Sequence, residues 1–219
     1  YFIDQIANSQ YIGDDGAVVG KYVYSMDAFF ENIHFKREWM SLKQIAQKAM
    51  LVNISDAIVM NAKPKFALLS VAIPHDFSKK ELDRLAKGFN KVVKQFGITI
   101  IGGDTISNDT LDISITIIST TKKPILRTGT KVGDLLCYTG SLGGVKKDLD
   151  QLLLGKPVDK KSKFIKPILR GKFFYEIAPY IKSAMDISDG LFFELERLSR
   201  ANGVGVEFFS PIPQEVGCS

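Results

Sequence analysis

The chain has 219 residues, 45% of them hydrophobic and 24% charged, with a formal net charge of +5. That length and balance fit one large or two small domains with real cores, and no apolar run approaches the roughly 18 residues that span a bilayer. Cys137 and Cys218 lack CxxC or His partners, no secretory signal is visible, and the expectation is a cytoplasmic protein with neither a disulfide framework nor structural zinc.

Val18 to Met26 reads as strands broken near Gly20. Residues 41–60 read as a helix, because Ser41 and Gln44 have capping-box spacing. Phe66 to Ile73 reads as a strand. Residues 78–96 form the clearest helix: Ser78 and Glu81 make a second capping box, Leu82, Leu85, Phe89 and Val92 form an apolar stripe, and Gly97 ends it. Ile98 to Ile101 is a short buried strand, and Leu111 to Ser119 alternates as a sheet strand should. Asp134 to Thr139 is expected to be another strand.

Residues 155–167 are rich in Gly, Pro and Lys and read as a loop. Its lysines (Lys156, Lys160, Lys161, Lys163, Lys166) are expected to be a solvated surface. Neither a nucleic-acid motif nor interleaved aromatics accompany them. Ile168 to Lys182 reads as helical with a break at Pro179, Ala184 to Ile187 as a short strand, Leu191 to Ala201 as a helix stopped by Asn202 and Gly203, and Val204 to Phe209 as a final strand. The pattern is α+β. A boundary near residues 122–130 divides it into domains at 1–125 and 126–219.

Aspartates occupy positions where acids are unwelcome. Asp27 follows the strand Val23 to Met26, Asp104 follows Ile98 to Ile101 within Gly102-Gly103-Asp104-Thr105, and Asp186 interrupts the apolar run Ala184 to Ile187. Three strands are thus expected to deliver carboxylates to one ligand-binding edge. Asp189 alone reads as a helix N-cap, and Gly13-Asp14-Asp15-Gly16 alone as a surface turn. Asp56 carries most information. With Asn53 it falls on the apolar stripe of a helix that is hydrophobic almost all round, and a buried carboxylate must be paired, metal-bound or protonated. A cluster of such acids calls for divalent cations, and oxygen ligands select Mg²⁺, Ca²⁺ or Mn²⁺. There is no GxxxxGK[ST] loop or protein-kinase catalytic loop. Gly140-Ser141-Leu142-Gly143-Gly144 is only a weak glycine-rich signal, and Arg127 is a candidate polyphosphate clamp or a surface arginine.

In order, Gly13-Asp14-Asp15, Ser25-Met26-Asp27 with Glu31 and His34-Phe35, Lys48-Ala49 with Val52-Asn53-Ile54-Ser55-Asp56, Gly102-Gly103-Asp104-Thr105, Arg127-Thr128-Gly129, Gly133-Asp134 with Thr139-Gly140, and Met185-Asp186-Ile187-Ser188-Asp189-Gly190-Leu191 resemble thiamine-monophosphate kinases. That family belongs to an aminoimidazole-ribotide-synthetase-like superfamily. The resemblance implies a two-domain α+β architecture, with an N-terminal sheet that pairs across a homodimer and a C-terminal domain that is incomplete here. It implies ATP as co-substrate, thiamine monophosphate as acceptor and several Mg²⁺ ions, with no nucleic-acid or membrane partner. Asp15, Asp27, Asp56, Asp104 and Asp186 would hold magnesium, Asp189 a further ion, and Ser25 with the main chain of Met26 would complete the coordination. Arg127, Ser188, Gly103 and Asp104 would contact ATP, and His34 the thiamine phosphate. Asn32 and Asn61 replace glycines of the family and are expected to keep a left-handed backbone. The family continues past Ser219 with a Gly-Gly-Glu-Asp-Tyr-Glu-like motif, so the chain is expected to be a fragment lacking part of the acceptor site. The alternatives are another ATP-using enzyme of the superfamily, such as aminoimidazole ribotide synthetase or a hydrogenase-maturation enzyme, and a non-catalytic nucleotide- or cation-binding module.

Overall fold

The two capping boxes set the start of the helical layer. In this computed structural model, which describes residues 10–213, α1 (Leu42–Val59) begins where the Ser41 hydroxyl accepts the Gln44 N–H and the Gln44 side chain accepts the Ser41 N–H. α2 (Lys79–Phe96) repeats the device with Ser78 and Glu81, and left-handed Gly97 closes it. α1 is buried nearly all round: Ile45, Ala46, Ala49, Met50, Ile54 and Ala57 are fully inaccessible. α2 is amphipathic and lies against it. At Gly88 the helices approach so closely that a Cβ would sit 2.5 Å from the Lys43 carbonyl oxygen, which requires glycine there.

The helices cover one face of a five-stranded sheet. Its strands are β1 (Ala17–Val19), β2 (Tyr22–Phe30), β3 (Lys63–Pro74), β4 (Thr99–Asn108) and β5 (Asp112–Thr120), in spatial order β1-β2-β5-β3-β4. Only β3 and β4 run parallel, as a crossover through α2 demands. Ile113, Ile115 and Ile117 of β5 are fully buried against the helices, which is the alternation of Leu111 to Ser119 read from the sequence. Asn32 and Asn61 both have positive φ, 65° and 52°.

Two strands run further than the sequence suggests, and this moves two acids. Asp27 lies within β2, opposite Ile115 of β5, and Asp104 lies within β4, beside Ser70 of β3. The expectation that both follow a strand end is corrected accordingly. Gly102 and Gly103, which lie beyond the strand expected at Ile98 to Ile101, stay in the ladder. They follow a bulge at Ile101 of β4, which falls between the Ala67–Ile100 and Leu68–Gly102 pairs, and a Cβ on Gly103 would lie 1.7 Å from the Leu69 carbonyl oxygen. Glycine serves close backbone approach there rather than a turn.

Beyond β5 come α3 (Gly144–Leu153), α4 (Gly171–Ile177), a 3-10 turn at Ala178–Tyr180 and α5 (Leu191–Asn202), closed by left-handed Gly203. α4 packs on α1, with Gly171 against Ile58 and the Tyr175 hydroxyl donating to the Ala62 carbonyl at 2.8 Å. Asp134–Thr139, Ala184–Ile187 and Val204–Phe209 are not strands, contrary to the sequence reading. Their residues favour extended backbone, but a strand needs a hydrogen-bonded neighbour, and none of the three has a ladder partner among the described residues. No helix of the described residues is long and apolar enough to cross a membrane.

Candidate functional site

The site is built around one turn of α1. Asn53 is fully buried and its amide bonds at both ends: Nδ2 donates to the Ala49 carbonyl at 2.9 Å, and Oδ1 accepts the Asp27 N–H at 2.8 Å. The Ser25 hydroxyl donates to the Asn53 carbonyl at 3.5 Å. Asn53 therefore fastens β2 to α1 and fixes Asp27 relative to Asp56, one turn further along the same helix face. The sequence marks Asn53 as a polar residue on an apolar stripe and as part of the Val52-to-Asp56 segment, without giving it a role.

Three acids far apart in the chain meet beside this turn. Asp15, from the turn before β1, Asp56, from α1, and Asp186, from the segment before α5, each offer a carboxylate oxygen within 4.8 Å of the other two. Ionised together, each pair would repel by roughly 3.5 kcal/mol at an effective dielectric near 20. Secondary contacts hold them in place. The Ser55 hydroxyl donates to Asp186 Oδ2 at 2.7 Å, the Arg127 guanidinium pairs with Asp15 Oδ1, and the Arg127 N–H donates to Asp14 Oδ1 at 2.6 Å. Asp15 Oδ2 is buried with no hydrogen-bond partner.

Burial dominates the electrostatics. It pushes the Asp56 carboxyl up to about 9, reinforced by the charges of Asp27, Asp186 and Asp15. It raises Asp15 to about 6 against the opposing pull of Arg127. Asp27 and Asp186 are also raised, again chiefly by burial. The protein thus holds carboxyls in an environment that favours their neutral form. An all-oxygen donor set with an orphaned buried oxygen fits a hard divalent cation, which would restore the charged form.

The other sequence-derived residues divide into those near the cluster and those away from it. Ser25 is buried beside Asn53, and the Met26 side chain points to the opposite, open face of the sheet at 66% exposure. Asp189 is held by Arg197 at 2.8 Å, and its N–H donates to Glu194 at 3.0 Å. Glu194 is itself buried and takes the Ser188 hydroxyl at 3.3 Å and Arg197 at 2.9 Å. Sequence reasoning missed this Glu194–Arg197 bracket, although i,i+3 opposite charges just after the Asp189 segment were its signal. His34 is exposed, accepts the Phe30 N–H through Nδ1 at 2.9 Å and stacks on Phe29. Gly103 and Asp104 stand apart. β4 is three strands from β2, roughly 14 Å at ordinary strand spacing, and Asp104 shares the face of Ser70, away from α1.

Residues 13–121 match the family described as AIR synthase related protein, N-terminal domain. A thiamine-monophosphate kinase of Aquifex aeolicus is 29% identical over 218 residues, covering 95% of this chain and 71% of the relative. One from Bacillus subtilis is 32% identical over 213 residues, covering 90% and 66%. The chain belongs to the thiamine-monophosphate kinase family. It spans about two thirds of the length of these kinases. A solved structure of the family, AaThiL complexed with AMPPCP and TMP, superposes with a TM-score of 0.86 at 28% identity, covering 92% of this chain and 68% of that one. The mixed α/β fold of this chain is therefore the fold of the thiamine-monophosphate kinases.

Proposed function

We propose that this chain carries the phosphoryl-transfer site of a thiamine-phosphate kinase, which moves the γ-phosphoryl group of ATP to the phosphate of thiamine monophosphate and yields thiamine diphosphate and ADP. The observation that carries the proposal is the convergence of Asp15, Asp56 and Asp186 in one partly buried cluster. The family membership, and a relative bound to AMPPCP and TMP, support the substrates.

Asp15, Asp56 and Asp186 would hold Mg²⁺, with Asp27 beside them and Asp189 as ligand of a further ion. Bound Mg²⁺ supplies charge neutralisation for a polyphosphate and a template for its reacting oxygens. The chain's own residues do the rest. Asn53 and Ser25 fix the β2 backbone at Met26 and Asp27, Ser55 orients Asp186, and Arg127 presents its guanidinium to Asp15 at the place where ATP phosphates would enter. Ser188 lies beside Glu194 as the second ATP contact, and His34 lines the acceptor side. An oxygen of the acceptor phosphate forms the new bond to the γ-phosphorus while the bond to the β,γ-bridging oxygen breaks and ADP leaves. The acceptor is already anionic, so no strong general base is required.

A homodimer completes the reading. β4 is an edge strand exposed from Thr99 to Ser107, and unpaired edges invite pairing. Tyr24, Met26, Phe66, Leu68 and Ile106 leave apolar surface on the open sheet face. Within one chain Asp104 lies on the wrong face to join Asp56. A second copy paired through this sheet would bring its own Asp104 and Gly103 to the nucleotide. The domain division that goes with this reading is a dimerising domain at 1–125, which holds the sheet, and a second domain at 126–219. ATP and free Mg²⁺ are cytoplasmic reagents, which supports that location.

Thiamine diphosphate formation from ATP, Mg²⁺ and thiamine monophosphate is the test. Asp56→Asn and Asp104→Asn proteins should each be inactive, and mixing them should restore part of the activity. Full activity of a folded Asp56→Asn protein would overturn the proposal.

A further inference from the structure

A second concave region lies at the opposite end of α1. The 37–41 segment, the start of α1, Lys91 of α2 and the 155–168 loop line an open cavity of about 1320 Å³. Lys43 and Asp56 are about 20 Å apart along the axis of α1 at 1.5 Å per residue, so this cavity is separate from the acid cluster. Lys43 of α1, Lys91 of α2 and Lys156, Lys160, Lys161 and Lys166 of the loop line it, and among the described residues Glu38 is the one acid in the lining. None of these six lysines makes an ion pair among the described residues. Arg37, also in the wall, is paired with Glu31.

The loop is not a free solvated tether. Phe164 and Ile165 are buried in the main core, Ser162 donates to Asp148 of α3, and the Phe164 N–H returns to the Ser162 hydroxyl at 3.0 Å. The Lys161 N–H is held by Asp159 at 2.7 Å. The backbone that carries the lysines is therefore fixed. Charges from three separate elements face one concavity, where their field adds. Lysine ammonium groups bind phosphate as point charges without a set geometry. Among the described residues the only aromatic side chain in the wall is Trp39, and its ring is engaged by a T-shaped contact with Phe164 and by Lys36. No platform remains for stacking successive bases, which single-stranded nucleic-acid binding requires.

We infer that this cavity is a second anion site, distinct from the kinase centre, for a small molecule carrying several adjacent phosphates. A nucleoside triphosphate and inorganic polyphosphate share that chemistry. Trp39 is the only tryptophan of the chain and reports directly from the wall. The experiment titrates the whole protein with inorganic tripolyphosphate while following Trp39 fluorescence, with EDTA present so that the acid cluster cannot hold phosphate through a metal. A saturable change is expected, weakening at least tenfold between 50 and 200 mM salt. It should persist in Asp56→Asn and fall at least tenfold in Lys160→Glu/Lys161→Glu. Lys91→Glu, on a different element, should weaken it as well, so a local distortion of the loop cannot account for the loss. ATP binding equal to tripolyphosphate would assign the site to the phosphate chain alone, and tighter ATP binding would assign it to a nucleotide. No saturable signal, a signal indifferent to both lysine reversals, or an oligonucleotide binding more than tenfold tighter than tripolyphosphate would overturn the inference.

Discussion

The two ends of α1 concentrate charge of opposite sign in opposite ways. Near its C-terminal end, Asp15, Asp56 and Asp186 are withdrawn from water on short side chains, and burial forces their carboxyls toward neutrality. Near its N-terminal end, lysines stand on long exposed stems around an open cavity and keep their hydration. A desolvated cluster is costly unless a cation neutralises it, so it implies a specific counter-ion. A solvated cluster costs little and implies only attraction. Substitutions at the first should therefore change chemistry and pH dependence, and substitutions at the second should change neither.

The largest effect is expected at Asp56. Asp56→Asn should lower turnover roughly a thousandfold, the equivalent of about 4 kcal/mol of lost transition-state stabilisation. The fold should survive, because an uncompensated buried acid is removed. Circular dichroism and a thiamine diphosphate assay on the same sample would check both halves. Next comes Asn53→Leu, which strips the clamp from Asp27 and leaves its N–H unpaired. It should cost about 1–3 kcal/mol of stability and reduce turnover without touching any carboxylate. Chemical denaturation would measure the first loss. Equal stability in the variant would mean that the Asn53 bridge is idle.

A smaller effect concerns pH in the metal-free protein. Asp56 and Asp15 have folded-state values, about 9 and about 6, above the value near 3.8 of an exposed carboxyl. The folded state then binds more protons than the unfolded one, so their contribution is fully present below about pH 4 and is lost as pH rises through 6 and toward 9. Thermal midpoints in EDTA should fall across that window more steeply than in Asp56→Asn. Smallest of all is Lys160→Glu/Lys161→Glu, which should leave turnover within about twofold and stability within about 0.5 kcal/mol. A large loss of turnover there would merge the two regions into one site.

What was legible in the sequence depended on whether the signal was local. Both capping boxes, the Gly97 and Gly203 stops and the alternation along β5 are contained within single elements, and they stand where the sequence puts them. α3 was missed because it begins at Gly143 and Gly144 with no side-chain cap, although Val145, Leu149 and Leu152 keep helical spacing. The strands expected at 134–139, 184–187 and 204–209 depended on pairing partners that local propensity cannot reveal. The same limit applies at the site. That Asp56 is buried followed from its own helix. The face and strand on which Asp104 lies followed only from the sheet order. Asn53, Ser55 and the Glu194–Arg197 bracket act through partners that are distant in the chain or outside any quoted motif.

The central claim is that burial holds the Asp56 carboxyl protonated until a divalent cation binds. Calorimetric titration of the protein with Mg²⁺ and AMPPCP at pH 7, in two buffers of different ionisation heat, measures it directly. The account predicts net proton release on metal binding, markedly smaller in Asp56→Asn. Metal binding with no proton release, and with unchanged affinity in Asp56→Asn, would contradict it.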